Sequence, residues 1–498
     1  MLVRRSFVLA AAIALVASLP AIAAPKVSIG YTAYDSWNAI RNASFSADGK
    51  WFAYAIAPED GDATLVVRNV ATGKEVREAR GVSPVFTSDS RFVVYTIAPV
   101  KADVDAAKKA KKKPEQMPKN GLGILELASG TATTVERVKS YKLATNSAHW
   151  IAYLLEKPLP DAASKPQVSP SPKPTASPSP TPDNKKKATG AKLVLRYLDG
   201  GTTIATSFFE AADVTEYALS PDETSLAYAT ETTSGAGDGV QLRDLATASS
   251  STIASGEGRY TRIAFAHDAD ALAFLSDASS YASAAPHPDL MLWTTGSTAA
   301  RVVSRLGGAG LPRGYSPDAN GDVSFTEDGA LLYFGTNVAP KPLPSDTPAP
   351  MQVDLWNWRD GRLQAEQQVE AEADGAQTFQ AVVPVNGGAV VQLGSPSSPQ
   401  VETNDNHRTA LGGDPQPYYK QRSWDGFYQD SWLISLQNGR RTLAARRSQE
   451  PCSLSPAGKY ALCYDSAGRF WYAVRASDGH RVDLTKGLKV AFYDELDD

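Results

Sequence analysis

One short block recurs along the sequence: a small polar turn followed by an apolar strand that ends in an aromatic residue. Most copies carry Ser or Thr at the start of the turn and Asp two positions later. The copies begin at Ser46, Thr87, Ser220, Ala266, Thr326 and Ser455. A repeat of this kind is one supersecondary unit that cannot bury its own apolar face, so it must stack beside its neighbours. For antiparallel strands, the usual closed arrangement is a β-propeller.

The first copy predicts a complete blade. Strands are expected at 43–46, 51–57, 65–70 and 75–77, because apolar and aromatic residues alternate there between polar turns. Segments like the third strand recur. They begin at Leu65, Ile124, Leu193, Val240, Leu290 and Asp354, with weaker copies at Trp150, Ala389 and Trp432. The sequence therefore predicts an all-β fold, a β-propeller of roughly seven to eight four-stranded blade-like units.

Length and composition agree with a soluble globular protein. The chain has 498 residues, 42% hydrophobic and 21% charged, which is ordinary for such proteins. The net charge of -4 gives no indication of a nucleic-acid partner.

The N-terminus has the pattern of a secretory signal peptide, which we assign to residues 1–23. Arg4 and Arg5 precede an apolar stretch from Phe7 to Leu19, and small residues around Ala23 suit signal peptidase. An uncleaved anchor is the alternative. We expect residues 24–498 to form the propeller, to be periplasmic or secreted, and to make no membrane contact after cleavage.

The two cysteines, Cys452 and Cys463, flank a predicted hairpin centred on Ala457 and Gly458. In that register the two residues face each other, and directly opposed side chains are close enough to bridge. An exported protein can form the bond. We predict a disulfide, with two buried free thiols as the alternative.

Two inserts interrupt the repeat. Residues 101–120 are rich in lysine and alanine and could form a short basic helix or a solvated loop. Residues 158–192 are rich in Pro, Ser and Lys, cannot bury a core, and are expected to be disordered or polyproline-like. Each insert replaces a connection between strands and does not mark a domain boundary.

No catalytic, metal-binding or cofactor-binding residue is predicted. The nucleophile pattern G-x-S-x-G is missing from the sequence. None of the five histidines stands at metal-ligand spacing with another His or Cys. They are His149, His267, His287, His407 and His480. The repeated turn aspartates are interpreted as structural, since Asp in a tight turn accepts hydrogen bonds from nearby backbone amides.

One aromatic cluster is a candidate site. Its core members are Tyr418, Tyr419, Trp424 and Tyr428. At the mouth of a propeller these side chains could stack on a peptide or a sugar. They could instead pack between blades or against another domain. Trp356 and Trp358 have the alternate spacing of a strand face, which favours packing between blades.

Several segments resemble the N-terminal propeller of exported peptidases of the prolyl oligopeptidase family, dipeptidyl peptidase IV-like branch. The resemblance rests on the blocks Tyr34–Trp51, Val353–Gly361, Ser423–Gly426 and Asp483–Glu495. In this family a propeller caps a C-terminal α/β-hydrolase domain. The resemblance therefore implies a non-catalytic, substrate-gating propeller region, and it implies a peptidase catalytic domain or peptide substrates as partners. A truncated or split product, with the ring incompletely closed, is part of this expectation.

Two rival functions remain. The chain could be a free-standing periplasmic propeller that acts as a binding or scaffold module. It could also be a sugar-active propeller enzyme, for which the sequence offers little. No cofactor is expected under the preferred reading.

Overall fold

The computed structural model describes residues 30, 34, 37–144, 149–157, 190–198, 208–342, 357–490 and 492. These residues form two compact units. The first runs to Phe86 and from Val93 to Thr134, and the second comprises Thr87–Phe92 and everything from Val135 onward. Within the described residues, the strands form seven antiparallel sheets, which confirms the all-β, propeller-type fold.

The first unit holds two blades. Blade 1 consists of β1 (Asn38–Phe45), β2 (Trp51–Pro58), β3 (Thr64–Asn69) and β4 (Glu75–Ala79). Blade 2 consists of β5 (Gly81–Phe86), β6 (Phe92–Ile97), β7 (Gly121–Glu126) and β8 (Ala132–Val135). The four strands predicted for the first blade are all present.

Blades 3 and 4 share one seven-stranded sheet. Its strands are β9 (Val138–Leu143), β10 (Trp150–Leu155), β11 (Ala191–Tyr197), β12 (Phe208–Leu219), β13 (Ser225–Thr230), β14 (Gly239–Asp244) and β15 (Ser250–Ser255). The first half of β12 pairs with β11 and the second half with β13. One continuous strand is therefore the last strand of blade 3 and the first strand of blade 4.

Four further sheets complete the second unit. Blade 5 contains β16 (Tyr260–Phe265), β17 (Ala271–Ser276), β18 (Asp289–Thr294) and β19 (Arg301–Ser304). Blade 6 contains β20 (Tyr315–Pro317), β21 (Val323–Phe325), β22 (Leu331–Val338), β23 (Phe379–Pro384) and β24 (Val391–Gln392). Blade 7 contains β25 (Val401–Glu402), β26 (Thr409–Asp414), β27 (Gln429–Ser435) and β28 (Arg441–Ser448). Blade 8 contains β29 (Ser453–Leu454), β30 (Tyr460–Asp465), β31 (Phe470–Arg475) and β32 (Arg481–Asp483).

The hydrophobic core lies between the faces of successive sheets. In the first unit, Leu65 of blade 1 and Val93 of blade 2 belong to one fully buried cluster. In the second unit, Tyr333 of blade 6 clusters with Ile434 of blade 7. A blade alone would leave these faces in water, so stacking supplies the main apolar burial.

The recurring turn closes with the same hydrogen bonds in four blades. In blade 4, the Ser220 hydroxyl donates to Asp222 over 2.7 Å, and the Ser225 amide donates to the Ser220 oxygen over 2.9 Å. The aspartate also accepts the Thr224 amide at 3.1 Å. The turns that begin at Ser46, Thr87 and Thr326 repeat this pattern. The structural interpretation of these aspartates is confirmed.

Two helices lie in connections between the second and third strands of blades. Helix α1 (Lys101–Lys109) occupies the lysine-rich insert between β6 and β7, followed by a 3-10 helix at Pro114–Gln116. Helix α2 (Gln364–Ala376) lies between β22 and β23 and was not predicted. Of the Pro-rich insert, 158–189 falls outside the described residues.

The third strand of blade 6 was predicted wrongly. The segment beginning at Asp354 was assigned to it, but Trp358 lies in a turn and is 82% exposed, and the third strand is β23. The prediction that Trp358 packs between blades is therefore wrong too; Trp356 lies outside the described residues. Two weaker copies are also reassigned, since the one at Trp150 forms a second strand and the one at Ala389 a fourth.

The turn hydroxyl should be essential to blade stability. Replacing Ser220 with Ala leaves the Ser225 amide without its acceptor in a site where Ser220 is 0% exposed. An unpaired buried amide costs about 1–2 kcal/mol. We expect Ser220→Ala to lower the urea midpoint by a corresponding amount. Ser220→Thr is the matched control, because Thr87 and Thr326 make the same bonds in other blades; equal loss in both variants would contradict the assignment.

The same turns should make the fold sensitive to acid. The hydrogen bond from the Ser46 hydroxyl, aided by the Lys50 amide, lowers the pKa of Asp48 to about 2. The pKa values of Asp222 and Asp328 are also lowered, in both cases by hydrogen bonds within the turn. Because the folded-state pKa lies below the unfolded value of about 3.9, the stabilisation is present above that pH and is lost as the pH falls toward about 2.

A triple variant, Asp48→Asn with Asp222→Asn and Asp328→Asn, should therefore show a flatter dependence of thermal midpoint on pH between about 4 and 2. Asp268→Asn is the control, because its turn begins with Ala266 and has no hydroxyl at that position. An unchanged slope in the triple variant would refute the prediction.

Candidate functional site

Two connections, one from blade 6 and one from blade 7, meet at one place in the second unit. The blade 6 connection between β22 and β23 carries Trp358 and α2. The blade 7 connection between β26 and β27 carries a 3-10 helix at Gln416–Gln421. An ion pair between Arg422 and Glu366 joins the two, and the Lys420 ammonium donates to the Trp358 carbonyl over 3.3 Å. The two connections therefore brace each other.

The braced connections expose large apolar side chains. Trp358 is 82% exposed, Trp424 74% and Phe427 71%. Leu363 and Val369 on the blade 6 side are similarly exposed. We call these five residues the aromatic loop surface. Monomeric proteins rarely leave such a group in water unless it contacts another molecule.

Cationic side chains hold the rings in place. The Arg359 guanidinium and the Lys420 ammonium lie 5.2 and 5.4 Å from the centre of the Trp358 ring, and Arg422 lies 5.9 Å from that of Phe427. A cation at this distance is attracted to the ring by about 0.5–1 kcal/mol at an exposed site. The rings thus have supported positions while most of their surface stays open.

The four predicted aromatic residues divide into two groups. Trp424 belongs to the aromatic loop surface, whereas Tyr418, Tyr419 and Tyr428 are half-buried supports. The Tyr418 hydroxyl donates to Asp430 over 2.7 Å, and burial together with this bond raises the pKa of Tyr418.

Arginines complete the support beneath the surface. Arg447 lies 4.3 Å from the Tyr428 ring centre and donates to Asp425 over 2.6 Å. Arg422 lies 5.0 Å from the Tyr419 ring centre. Each half-buried tyrosine therefore contacts a charged group.

Below these connections lies a cavity of 590 Å³ between blades 6, 7 and 8. Gly413 and Gln429 line the cavity. Each is adjacent in sequence to Asp414 or Asp430, which form the last pair of β26 and β27 before the blade 7 connection. The cavity thus opens at the end of the blades that carries the aromatic loop surface.

The cavity wall combines polar and apolar side chains. On blade 6 the exposed side chains of Asp322 and Ser324 flank buried Val323. On blade 7 the exposed Gln400 and Glu402 flank half-buried Val401. Within the described residues, the buried hydroxyls of Tyr333 and Ser431 have no hydrogen-bond partner. Buried polar groups normally have one, so these two hydroxyls are exceptions within the packing around the cavity.

The histidines that pair do so with carboxylates. The His149 ring lies 3.2 Å from Glu223, and the His407 ring lies 3.0 Å from Asp328. Among the described residues, no group of three or more His, Cys, Asp or Glu side chains could hold a metal ion. In the same part of the chain, no helix is long and apolar enough to cross a membrane.

A disulfide joins Cys452 and Cys463, whose Cα atoms are 4.4 Å apart. Ser453 pairs with Leu462 and Leu454 with Ala461, which is the predicted hairpin register. Both cysteines are buried in the cluster between blades 7 and 8. The bond ties the innermost strand of blade 8, which has only two residues, to its neighbour.

Sequence reasoning missed the blade 6 part of the aromatic loop surface, three of its five residues. Trp358, Leu363 and Val369 lie far along the chain from Trp424. The ion pair of Arg422 with Glu366 and the contacts of Lys420 with Trp358 bring the two connections together. The available signal was the charged, glutamine-rich run of α2, which breaks the period-two pattern of the strands.

Comparison with known proteins gives fold-level likeness only. No protein-family model matches the sequence, and no curated protein matches it. Among solved structures, a eukaryotic initiation factor is similar at a TM-score of 0.43 and 12% identity, over 92% of this chain and 90% of that one.

Two proteases are also similar. One is from a study of two prolyl endopeptidases, at a TM-score of 0.36 and 12% identity over 89% of this chain; this chain spans 55% of its length. The other is the β-propeller domain of the Trilobed protease from Pyrococcus furiosus, described as having an open velcro topology. Its TM-score is 0.33 at 7% identity, over 83% of this chain and 100% of that one. At these values the likenesses carry no functional argument.

The disulfide should contribute measurably to stability. It closes a loop with a sequence separation of 11, and a loop of that size is worth about 3 kcal/mol in the chain-entropy account. We expect Cys452→Ala with Cys463→Ala to lower the urea midpoint. Wild-type protein treated with a reductant should fall to the same midpoint, while the variant should not respond. Thiol titration checks that the wild-type disulfide is fully reduced. If the urea midpoint of the fully reduced wild-type protein is unchanged, the prediction is wrong.

Proposed function

We propose that this chain is the non-catalytic, substrate-gating propeller of an exported peptidase resembling the prolyl oligopeptidase family, dipeptidyl peptidase IV-like branch. In this role it binds short peptides at the end of the blades that carries the aromatic loop surface. It also meets a catalytic domain there. The observation that carries the proposal is the aromatic loop surface itself, which has three exposed rings from two blades, two of them held by cationic side chains.

The chemistry of the site suits peptides. Exposed indole and phenyl rings stack on proline and aromatic side chains with little loss of rotamer entropy. The cavity below offers carboxylate, amide and hydroxyl groups for peptide N–H and amine groups. Apolar contact above and polar contact below is the usual composition of a small-ligand site.

Specificity in this proposal comes from access. A cavity of 590 Å³ accommodates a few residues of extended chain and not a folded protein. The gate therefore discriminates by size, and bond cleavage belongs to another domain.

Peptide binding is tested by titrating the purified chain with proline-containing tetra- to octapeptides and following tryptophan fluorescence. We expect saturable binding that weakens by about tenfold or more in Trp424→Ser with Phe427→Ser, because each buried ring contributes about 1–3 kcal/mol. Phe208→Ser is the control, since Phe208 is an exposed aromatic on β12. No binding, or equal weakening in the control, would refute the proposal.

Lack of catalysis is tested on the same preparation with a fluorophosphonate probe, which labels activated serines. We expect no labelling and no release from prolyl peptide substrates. Labelling that a serine substitution abolishes would overturn the non-catalytic assignment. Capture of a folded periplasmic protein, with peptides ignored, would favour the scaffold function instead.

A further inference from the structure

A second cavity, of 830 Å³, lies between blades 7 and 8 at the end of the blades that carries the tight turns. It is lined by residues of the turns that join first to second and third to fourth strands. The aromatic loop surface stands on connections at the opposite strand ends, between second and third strands. The second cavity is therefore separate from the proposed peptide site.

The wall of this cavity is basic. Arg408, Arg440, Lys459 and Arg475 line it together with His407, and among the described residues that line it none is acidic. Arg475 pairs with Asp478 at 3.1 Å and His407 with Asp328 at 3.0 Å. Asp405, in the blade 7 turn, is engaged by the Glu327 amide.

The other three cations have no carboxylate partner within the described residues. Arg440 donates to the carbonyl of Ser477 over 3.1 Å, which bridges blades 7 and 8. Arg408 and Lys459 are exposed. Three positive charges thus converge on one concave space without neutralisation.

The repeat explains why these charges are unpaired. In blades 1 and 2 the residue after the turn is also basic, but it pairs with the turn aspartate: Lys50 with Asp48 at 3.2 Å and Arg91 with Asp89 at 4.0 Å. Arg408 and Lys459 occupy the equivalent position in blades 7 and 8.

In those two blades the aspartate is replaced. Asn406 takes its place in blade 7 and keeps the hydrogen bond to the Arg408 amide at 2.8 Å. Ala457 takes its place in blade 8, where the Ser455 hydroxyl still accepts the Tyr460 amide at 3.0 Å. The turn geometry is therefore retained while the carboxylate at this position is lost, and this happens in the two adjacent blades that enclose the cavity.

We propose that this cavity binds a small, soluble ligand bearing several oxyanion groups, of the oligophosphate class. Arginine and lysine bind phosphate oxygens through charge-assisted hydrogen bonds. A cavity of this size holds more than one such group, and the hydroxyl of Thr442 in its wall adds a neutral donor. The missing wall carboxylates remove the repulsion that would oppose an anion.

The test uses the full chain and tripolyphosphate, with calorimetric titration at about 50 mM salt and again at about 500 mM. We expect saturable binding that weakens steeply with salt, because the contacts are ionic and partly exposed. Arg408→Gln and Lys459→Gln should each weaken binding by about tenfold. Lys139→Gln, which removes an exposed lysine from β9, should leave it unchanged.

The sharpest variant restores the charge of the repeat. Ala457→Asp rebuilds the turn found in other blades and should abolish binding, while Ala457→Asn, of equal size and no charge, should retain it. Circular dichroism and the urea midpoint check that both variants fold. Equal behaviour of these two variants would overturn the proposal. So would failure to bind tripolyphosphate at low salt, including the case in which only vesicles of anionic phospholipid retain the protein.

Discussion

Four of the blades depend on one interaction, the hydroxyl–carboxylate pair at the start of the repeated turn. The Ser or Thr oxygen accepts a hydrogen bond from the amide of the residue that begins the second strand. The same hydroxyl donates a hydrogen bond to the aspartate two positions later. One hydroxyl thereby fixes the direction in which the chain leaves the turn. Register in a hairpin is set by its turn, so this choice determines which face of the second strand meets the next blade. The stacked core follows from that local geometry.

Much of this could be predicted from the sequence because turns and period-two alternation are local signals. The four strands of the first blade, the cross-strand position of Cys452 and Cys463, and the role of the turn aspartates all depend on nearby residues, although β1 begins at Asn38, before the predicted start at Ala43. The prediction of the third strand of blade 6 was wrong because it depended on a local signal alone. A short apolar run before an Arg-Asp-Gly turn satisfies the third-strand pattern wherever it stands, and nothing local shows that it lies in an insertion. For the same reason only the blade 7 part of the aromatic loop surface could be predicted, because Arg422 and Glu366 are brought together by the packing of two blades.

The sequence also did not predict where the backbone adopts positive φ. The first strands of blades 1, 2 and 5 each contain a bulge with a non-glycine residue at positive φ, Asn42 at 53°, Ser83 at 51° and Arg262 at 59°. A glycine in the sequence usually indicates a position with positive φ, but these three positions hold other residues. At Arg262 the surroundings supply the compensation. Glu216 of blade 4 accepts the amides of Arg262 and Ile263, while the guanidinium donates to Asp322 of blade 6. One bulge thus links three successive blades.

The shared strand β12 has a mechanical consequence. Elsewhere in the second unit successive sheets are separate and can, in principle, tilt about the connection between them. Blades 3 and 4 cannot, because a tilt would shear an unbroken hydrogen-bonded ladder on both sides of Val214, which is paired to β11 and β13 at once. Blades 3 and 4 therefore move together as one sheet. Relative motion of blades within the second unit is confined to the junctions between the later, separate sheets.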